Sequence, residues 1–127
     1  MTENRFRVAA TPEKDTAVLT VLSDSLNMAD REAFLAACRE LLAGKASNLV
    51  IDLRALRRIF SVFIGSVMDV NARAKNEGRR LTVLTTEGVA TVFRSVVGTD
   101  VLEISDGLTD EERARRKISS RRRSPAG

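Results

Sequence analysis

The sequence predicts an α/β domain: a mostly parallel, four- to five-stranded sheet with an N-terminal hairpin and helices packed against it. Two observations carry this. β-Branched apolar runs alternate with longer segments whose apolar residues recur every three to four positions, in the order strand, strand, helix, strand, helix, strand, helix, strand. The later runs are separated by connections of helix length, which parallel pairing requires, whereas the first two are separated only by a turn.

The elements follow in order. "RFRVAA" and "AVLTVLS" (residues 17–23) are the arms of the hairpin, joined through the turn-forming "TPEKD". In "NMADREAFLAACRELLAGK", Asn27 is placed to cap a helix, and Asp30 three positions on completes a variant of the capping box. Phe34, Ala37, Cys38, Leu41 and Leu42 recur on one face of that helix, and Gly44 stops it. "NLVIDL" (residues 48–53) is a nearly continuous apolar run, the pattern of a strand buried on both faces. After the loop "RALRRIFS" a second helix runs to about Glu77. Phe63, Val67, Val70 and Ala74 form its apolar stripe, Gly65, Asp69, Arg73 and Glu77 its polar one, and Gly78 ends it. "RLTVLT" is the next strand, "EGVATVFRSVVG" a third, short helix, and "DVLEIS" a last strand at the edge.

Composition bounds the function. A chain of 127 residues with 43% hydrophobic and 30% charged residues is the size and make-up of one soluble globular domain. Five Phe with no Trp or Tyr leave an aliphatic core. No apolar run approaches the roughly 18 residues of a membrane span, and "MTENRFRV" has no apolar leader segment, so a cytoplasmic location is expected. The single cysteine, Cys38, lies on an apolar helix face and fits a core position in a reducing compartment. The net charge of +4 is confined to one end: residues 1–107 carry 14 basic and 14 acidic side chains, residues 108–127 seven and three. The domain is therefore expected over 1–107, followed by a basic tail with too few apolar residues to fold. Nucleic acid or an anionic surface would be met through that tail alone, and "RRKIS" and "RRRSP" loosely fit kinase recognition around Ser119 and Ser124. Catalysis is not expected: there is no histidine and no metal-ligand cluster. Gly65, Gly78, Gly88 and Gly98 are also too far apart for a phosphate loop, so no cofactor is expected.

One stretch carries a resemblance. "NLVIDLRALRRIFSVFIGSVMDVNARAKNEGRRLTVL" resembles the STAS domain, the fold of bacterial anti-sigma factor antagonists. Asp52-Leu53 and Leu56 match the family's strand end and loop. Gly65 falls on the last glycine of its Asp-Ser-Ser/Thr-Gly-Leu-Gly motif, and Gly78 on the glycine before the next strand. "EGVATVFRSVVGTDVLEI" is similar to the segment that follows, with one residue extra, so the likeness covers roughly residues 17–105. Inside the motif the chain departs from the pattern. Phe60 stands at the Asp, Ser61 at the first Ser, Val62 at the Ser/Thr that a partner kinase phosphorylates in switching members, Phe63 at the first Gly and Ile64 at the Leu.

The resemblance implies a non-catalytic protein-interaction module that acts in transcription regulation by partner switching. Its partner would be an anti-sigma factor or another kinase-like protein. The alternative is a structural STAS subunit of a larger assembly, a stressosome-like scaffold or a lipid-transporter accessory subunit, with self-association left open. By the same resemblance the partner-binding residues are Arg57, Arg58, Phe60, Ser61, Val62, Phe63, Ser66, Asp69 and Arg73, and the loop around Asp24 and Asn27 lies close to partners too. Val62 has no hydroxyl, so the usual phosphorylation switch is expected to be absent; Ser61 is the remaining candidate phosphorylation site, with Ser66 behind it. Read as plain structure, Ser61 caps the second helix and Phe63 belongs to its core stripe. Asp69 and Arg73 are spaced for an intrahelical ion pair, and Arg57 and Arg58 are solvated loop charges. Phe60, ahead of the helix, is left as the apolar contact.

Overall fold

The computed structural model describes residues 5–98 and 101–107; the basic tail, with Ser119 and Ser124, lies outside them. Strands β1 (Phe6–Thr11) and β2 (Thr16–Val21) form the antiparallel hairpin. A short 3-10 turn, Pro12–Lys14, and Asp15 in left-handed backbone (φ 50°) join them, a conformation that aspartate tolerates better than most residues. Strands β3 (Asn48–Asp52), β4 (Arg80–Leu84) and β5 (Glu103–Ser105) are added in sequence order, each parallel to the one before. Between them run α1 (Arg31–Ala43), α2 (Ser61–Asn76) and α3 (Glu87–Val97).

Every crossover advances to the next strand in the same direction, so right-handed connections lay all three helices on one face of the sheet. Burial follows that geometry. Ala17, Leu19, Val21, Leu49, Ile51, Leu81 and Val83 join one core with Phe34, Phe63 and Phe93 from the three helices. The intervening Val18, Thr20, Val50, Asp52, Thr82 and Leu84 are only half-buried. The expectation that "NLVIDL" is buried on both faces is therefore corrected. Its residues alternate, because no described element covers the second face.

The core is aliphatic except for a short chain of rings. Phe34 meets Phe6 at a centroid distance of 5.7 Å and Phe63 edge-on at 5.5 Å, which couples β1, α1 and α2. Cys38 is buried on α1, and burial pushes its thiol up to about 12, far from a nucleophile's range.

The predicted helix start is present. Asn27 Oδ1 accepts from the Ala29 N–H (2.9 Å) and Asp30 Oδ2 from the Asn27 N–H (2.8 Å), a capping box around the 3-10 turn Met28–Asp30 that leads into α1. At the other end of α1, backbone carbonyls left without helical partners are taken by Arg79. Its guanidinium donates to Leu42 O (2.9 Å), Gly44 O (3.0 Å) and Ala46 O (2.8 Å). Gly78, at φ 68°, turns the chain out of α2 so that Arg79 can reach them.

Two carboxylates hold strand ends. Asp15 Oδ1 accepts from the Ser47 N–H (3.0 Å), and Asp52 accepts from Arg54 Nε (3.0 Å), Nη2 (2.9 Å) and N–H (3.1 Å). Hydrogen bonds from the Ser47 side chain and backbone hold Asp15 below its ordinary 3.8. For Asp52 burial pushes upward, but the Arg54 hydrogen bonds and charge outweigh it and the net shift is also downward. A carboxylate depressed in the folded state stabilises fully above its unfolded value and loses that contribution as pH falls through the folded one.

Two outcomes are expected. Arg79→Ala should lower the unfolding free energy by about 2–3 kcal/mol in urea denaturation, with Arg79→Lys recovering only part of it, because an ammonium lacks the planar fork. Stability should hold as pH falls to about 4 and decline below it. In Asp52→Asn that acid decline should be shallower.

Candidate functional site

The loop between β3 and α2 is fixed from inside. The Leu53 N–H donates to Leu84 O (2.7 Å), the Leu56 N–H to Leu53 O (3.0 Å), and Leu53, Leu56 and Ile59 are all buried. Its flank is tied to the β2–α1 loop. The Arg57 N–H donates to Asp24 O (3.0 Å), and the Arg57 guanidinium lies 4.0 Å from the Asp24 carboxylate. Both of these side chains are exposed, so the ion pair itself contributes little; the backbone bond sets the spacing.

Phe60 stands at the N-cap of α2 in extended backbone (φ −92°, ψ 151°), and its carbonyl accepts from the Phe63 N–H (3.0 Å) and Ile64 N–H (3.4 Å). Ser61 is the first helical residue and is exposed, so the expectation that its hydroxyl caps the helix is corrected. A cap side chain must leave from the extended residue before the helix, and that residue is a phenylalanine. The first turn of α2 holds no acidic residue, which leaves its positive end beside Arg57 and Arg58.

The residues that the sequence put on the partner surface do not all share it. Arg57, Arg58 and Ser61 are exposed, and Phe60 is 50% exposed. Val62 is half-buried against the core. Phe63, at 1% exposure, is packed on Phe34, and Ser66 is buried with its hydroxyl donating to Val62 O (3.2 Å). Phe63 and Ser66 are thereby corrected from surface to interior, since they lie at three- and four-residue spacing with Val67, Val70 and Ala74 on the face of α2 that packs on the core. Asp69 and Arg73 are exposed further along α2, and no ion pair joins them among the described residues.

Two apolar residues at this end of the sheet escaped the sequence reading. Leu22 (46% exposed) follows β2, and Met28 (66% exposed) opens the 3-10 turn before α1. Leu22 carried a signal: it comes directly after the inward Val21, so strand alternation alone turns it outward. Among the described residues no group of three or more His, Cys, Asp or Glu could hold a metal, and no helix is long and apolar enough to cross a membrane. The exposed side chains at this end of the sheet are apolar and basic: Phe60, Leu22 and Met28 with Arg57 and Arg58.

Known proteins can be set beside this geometry. A sequence model of the family described as "Mlab, STAS domain" matches residues 9–104. The NMR structure of the protein TM1081 superposes with a TM-score of 0.65 at 15% identity, covering 98% of this chain and 92% of that one. A serine-to-glutamate variant of RsbS from Moorella thermoacetica gives 0.63 at 16% identity, covering 93% and 98%. The anti-sigma factor antagonist SpoIIAA in its unphosphorylated form gives 0.63 at 17% identity, covering 90% and 96%. At such identities these structures share the fold. No curated protein matches the chain significantly.

The two phenylalanines of the loop should separate cleanly. Phe63→Ala should cost about 3–5 kcal/mol of stability by cavity formation. Phe60→Ala should stay within about 0.5 kcal/mol of wild type in the same denaturation series.

Proposed function

This chain belongs to the STAS-domain family, and from that premise we propose that it is a non-catalytic interaction module of the anti-sigma factor antagonist type, not switched by phosphorylation at the usual position. It docks a kinase-like anti-sigma factor in the cytoplasm through the start of α2. The observation that supports this reading is Phe60, half in solvent at a helix start whose neighbours Ile59 and Phe63 are anchored in the core. Arg57, Arg58 and Ser61 are its exposed chain neighbours, Asp69 and Arg73 lie exposed further along α2, and Leu22 and Met28 expose apolar surface in the β2–α1 loop, which the Arg57 N–H to Asp24 O bond ties to this one.

The absence of the switch follows from chemistry. A phosphate at a helix start is stabilised by free backbone N–H groups and adds about −1.5 to −2 charges that repel a docked partner. Val62 offers no hydroxyl to carry it, and the Ser66 hydroxyl is buried. Ser61 alone in this turn is exposed with a hydroxyl, so it is the position at which a relocated switch would be found.

A second reading, a structural subunit of a larger STAS-containing assembly, draws on the same apolar exposure at Phe60, Leu22 and Met28. Permanent interfaces are more apolar than reversible ones.

Affinity capture from cells that express the protein, with wild type and Phe60→Asp compared, tests the surface. Wild type should retain a kinase-like partner, and in titration with that purified partner Phe60→Asp should bind about 30-fold more weakly, roughly 2 kcal/mol. Equal affinity in the two would remove the loop as the docking site. A complex that never dissociates on dilution would favour the structural subunit, and stoichiometric phosphate on Ser61 of the native protein would contradict the unswitched reading.

A further inference from the structure

The two edge strands of the sheet, β1 and β5, are built differently. β5 is three residues long and opens on Glu103, which is ion-paired with Arg80. A short, charged edge discourages a further strand. β1 has six residues and pairs with β2 one for one, without a bulge. It holds no proline, and no charged side chain from Val8 to Thr11. We propose that this edge takes β1 of a second copy of the chain, antiparallel across a two-fold axis at Ala9.

Backbone geometry fixes which groups the edge offers. The Leu22 N–H donates to Arg5 O (2.7 Å), so these two residues are a hydrogen-bonded pair of the hairpin. Such pairs recur at every second residue of an antiparallel ladder. The N–H and C=O of Arg7, Ala9 and Thr11 therefore face β2, and those of Val8 and Ala10 face outward. Among the described residues no strand lies on that side. Around an axis at Ala9, Val8 of each copy meets Ala10 of the other, and each pair exchanges two hydrogen bonds. Ala9 faces Ala9 of the second copy at the close spacing of a non-hydrogen-bonded pair, about 4.5 Å between Cα atoms, which a methyl side chain permits.

Charge fits the same occupant. Arg7 and Glu13 are exposed, and neither joins an ion pair among the described residues. The register places Arg7 opposite Thr11 of the second copy, so no like charges are opposed along the strand. Beyond that Thr11 comes the hairpin turn, whose Glu13, Lys14 and Asp15 sum to one negative charge. The two-fold axis brings each Arg7 to the other copy's turn, and the contact closes at two chains because each has one such edge. An axis perpendicular to the sheet keeps the helices of both copies on one side. The β2–α1 and β3–α2 loops leave from strand ends rather than from this edge, so the dimer presents them twice.

Sedimentation equilibrium of the full chain over a concentration series tests the pairing. Wild type should associate reversibly to twice the chain mass. In Ala10→Pro the mass should fall to that of one chain with the far-UV spectrum retained, because the lost N–H points out of the sheet and the hairpin ladder is intact. Phe60→Asp should associate as wild type does, which separates this contact from the docking loop. Disulfide trapping tests the register independently, with Cys38→Ala to remove the native thiol. Ala9→Cys should oxidise to a linked dimer and Thr11→Cys should not, since Ala9 alone lies on the axis. The proposal is overturned by a wild type that stays monomeric, by association that survives Ala10→Pro or is lost in Phe60→Asp, or by trapping at Thr11 equal to that at Ala9.

Discussion

A sheet that adds its parallel strands one after another in the same direction can take right-handed crossover helices on one face only. Much of this structure depends on that constraint. It makes the strands alternate between buried and half-buried residues, and it gathers Phe34, Phe63 and Phe93 from three helices into one core. It also brings the β2–α1 and β3–α2 loops side by side at one end of the sheet, where the Arg57 to Asp24 backbone bond fixes their separation. Among the described residues no element packs on the other face.

The same constraint explains why one phenylalanine of the loop is structural and the next is presented. Ile59 and Phe63 are drawn into the shared core, and the residue between the loop and the helix must take extended backbone to start α2. Phe60 occupies that position and cannot turn inward with its neighbours. A polar cap there would satisfy a free N–H; the phenylalanine gives that up and exposes apolar surface instead. A local loss of this kind is the pattern expected where a surface serves a partner rather than the fold.

Most of the fold was legible in the sequence because its signals are local. The Asn27 and Asp30 spacing, the apolar faces of α1 and α2 and the stop at Gly78 each depend on residues within one or two turns. The face that β3 buries was not legible, since a run such as "NLVIDL" reads alike whether helices lie on one side or both. That is decided by the direction of the crossovers. Of the residues that the sequence put on the partner surface, two lie on the wrong side of α2. Phe63 was read both as core stripe and as partner surface, and Ser66 as partner surface; helical periodicity puts both in the core. Ser61 was taken as a cap because serine favours that position, but the helix begins one residue earlier. Met28 gave no local signal of its exposure.

The central claim is that the protein acts through the apolar loops at the start of α1 and α2. Hydrogen exchange, measured on the protein alone and in complex with its purified partner, tests it most directly. The claim predicts slowed exchange in residues 22–30 and 57–66, with the amides of α3 unchanged. Protection confined to α3, with both loops exchanging as they do in the free protein, would contradict it.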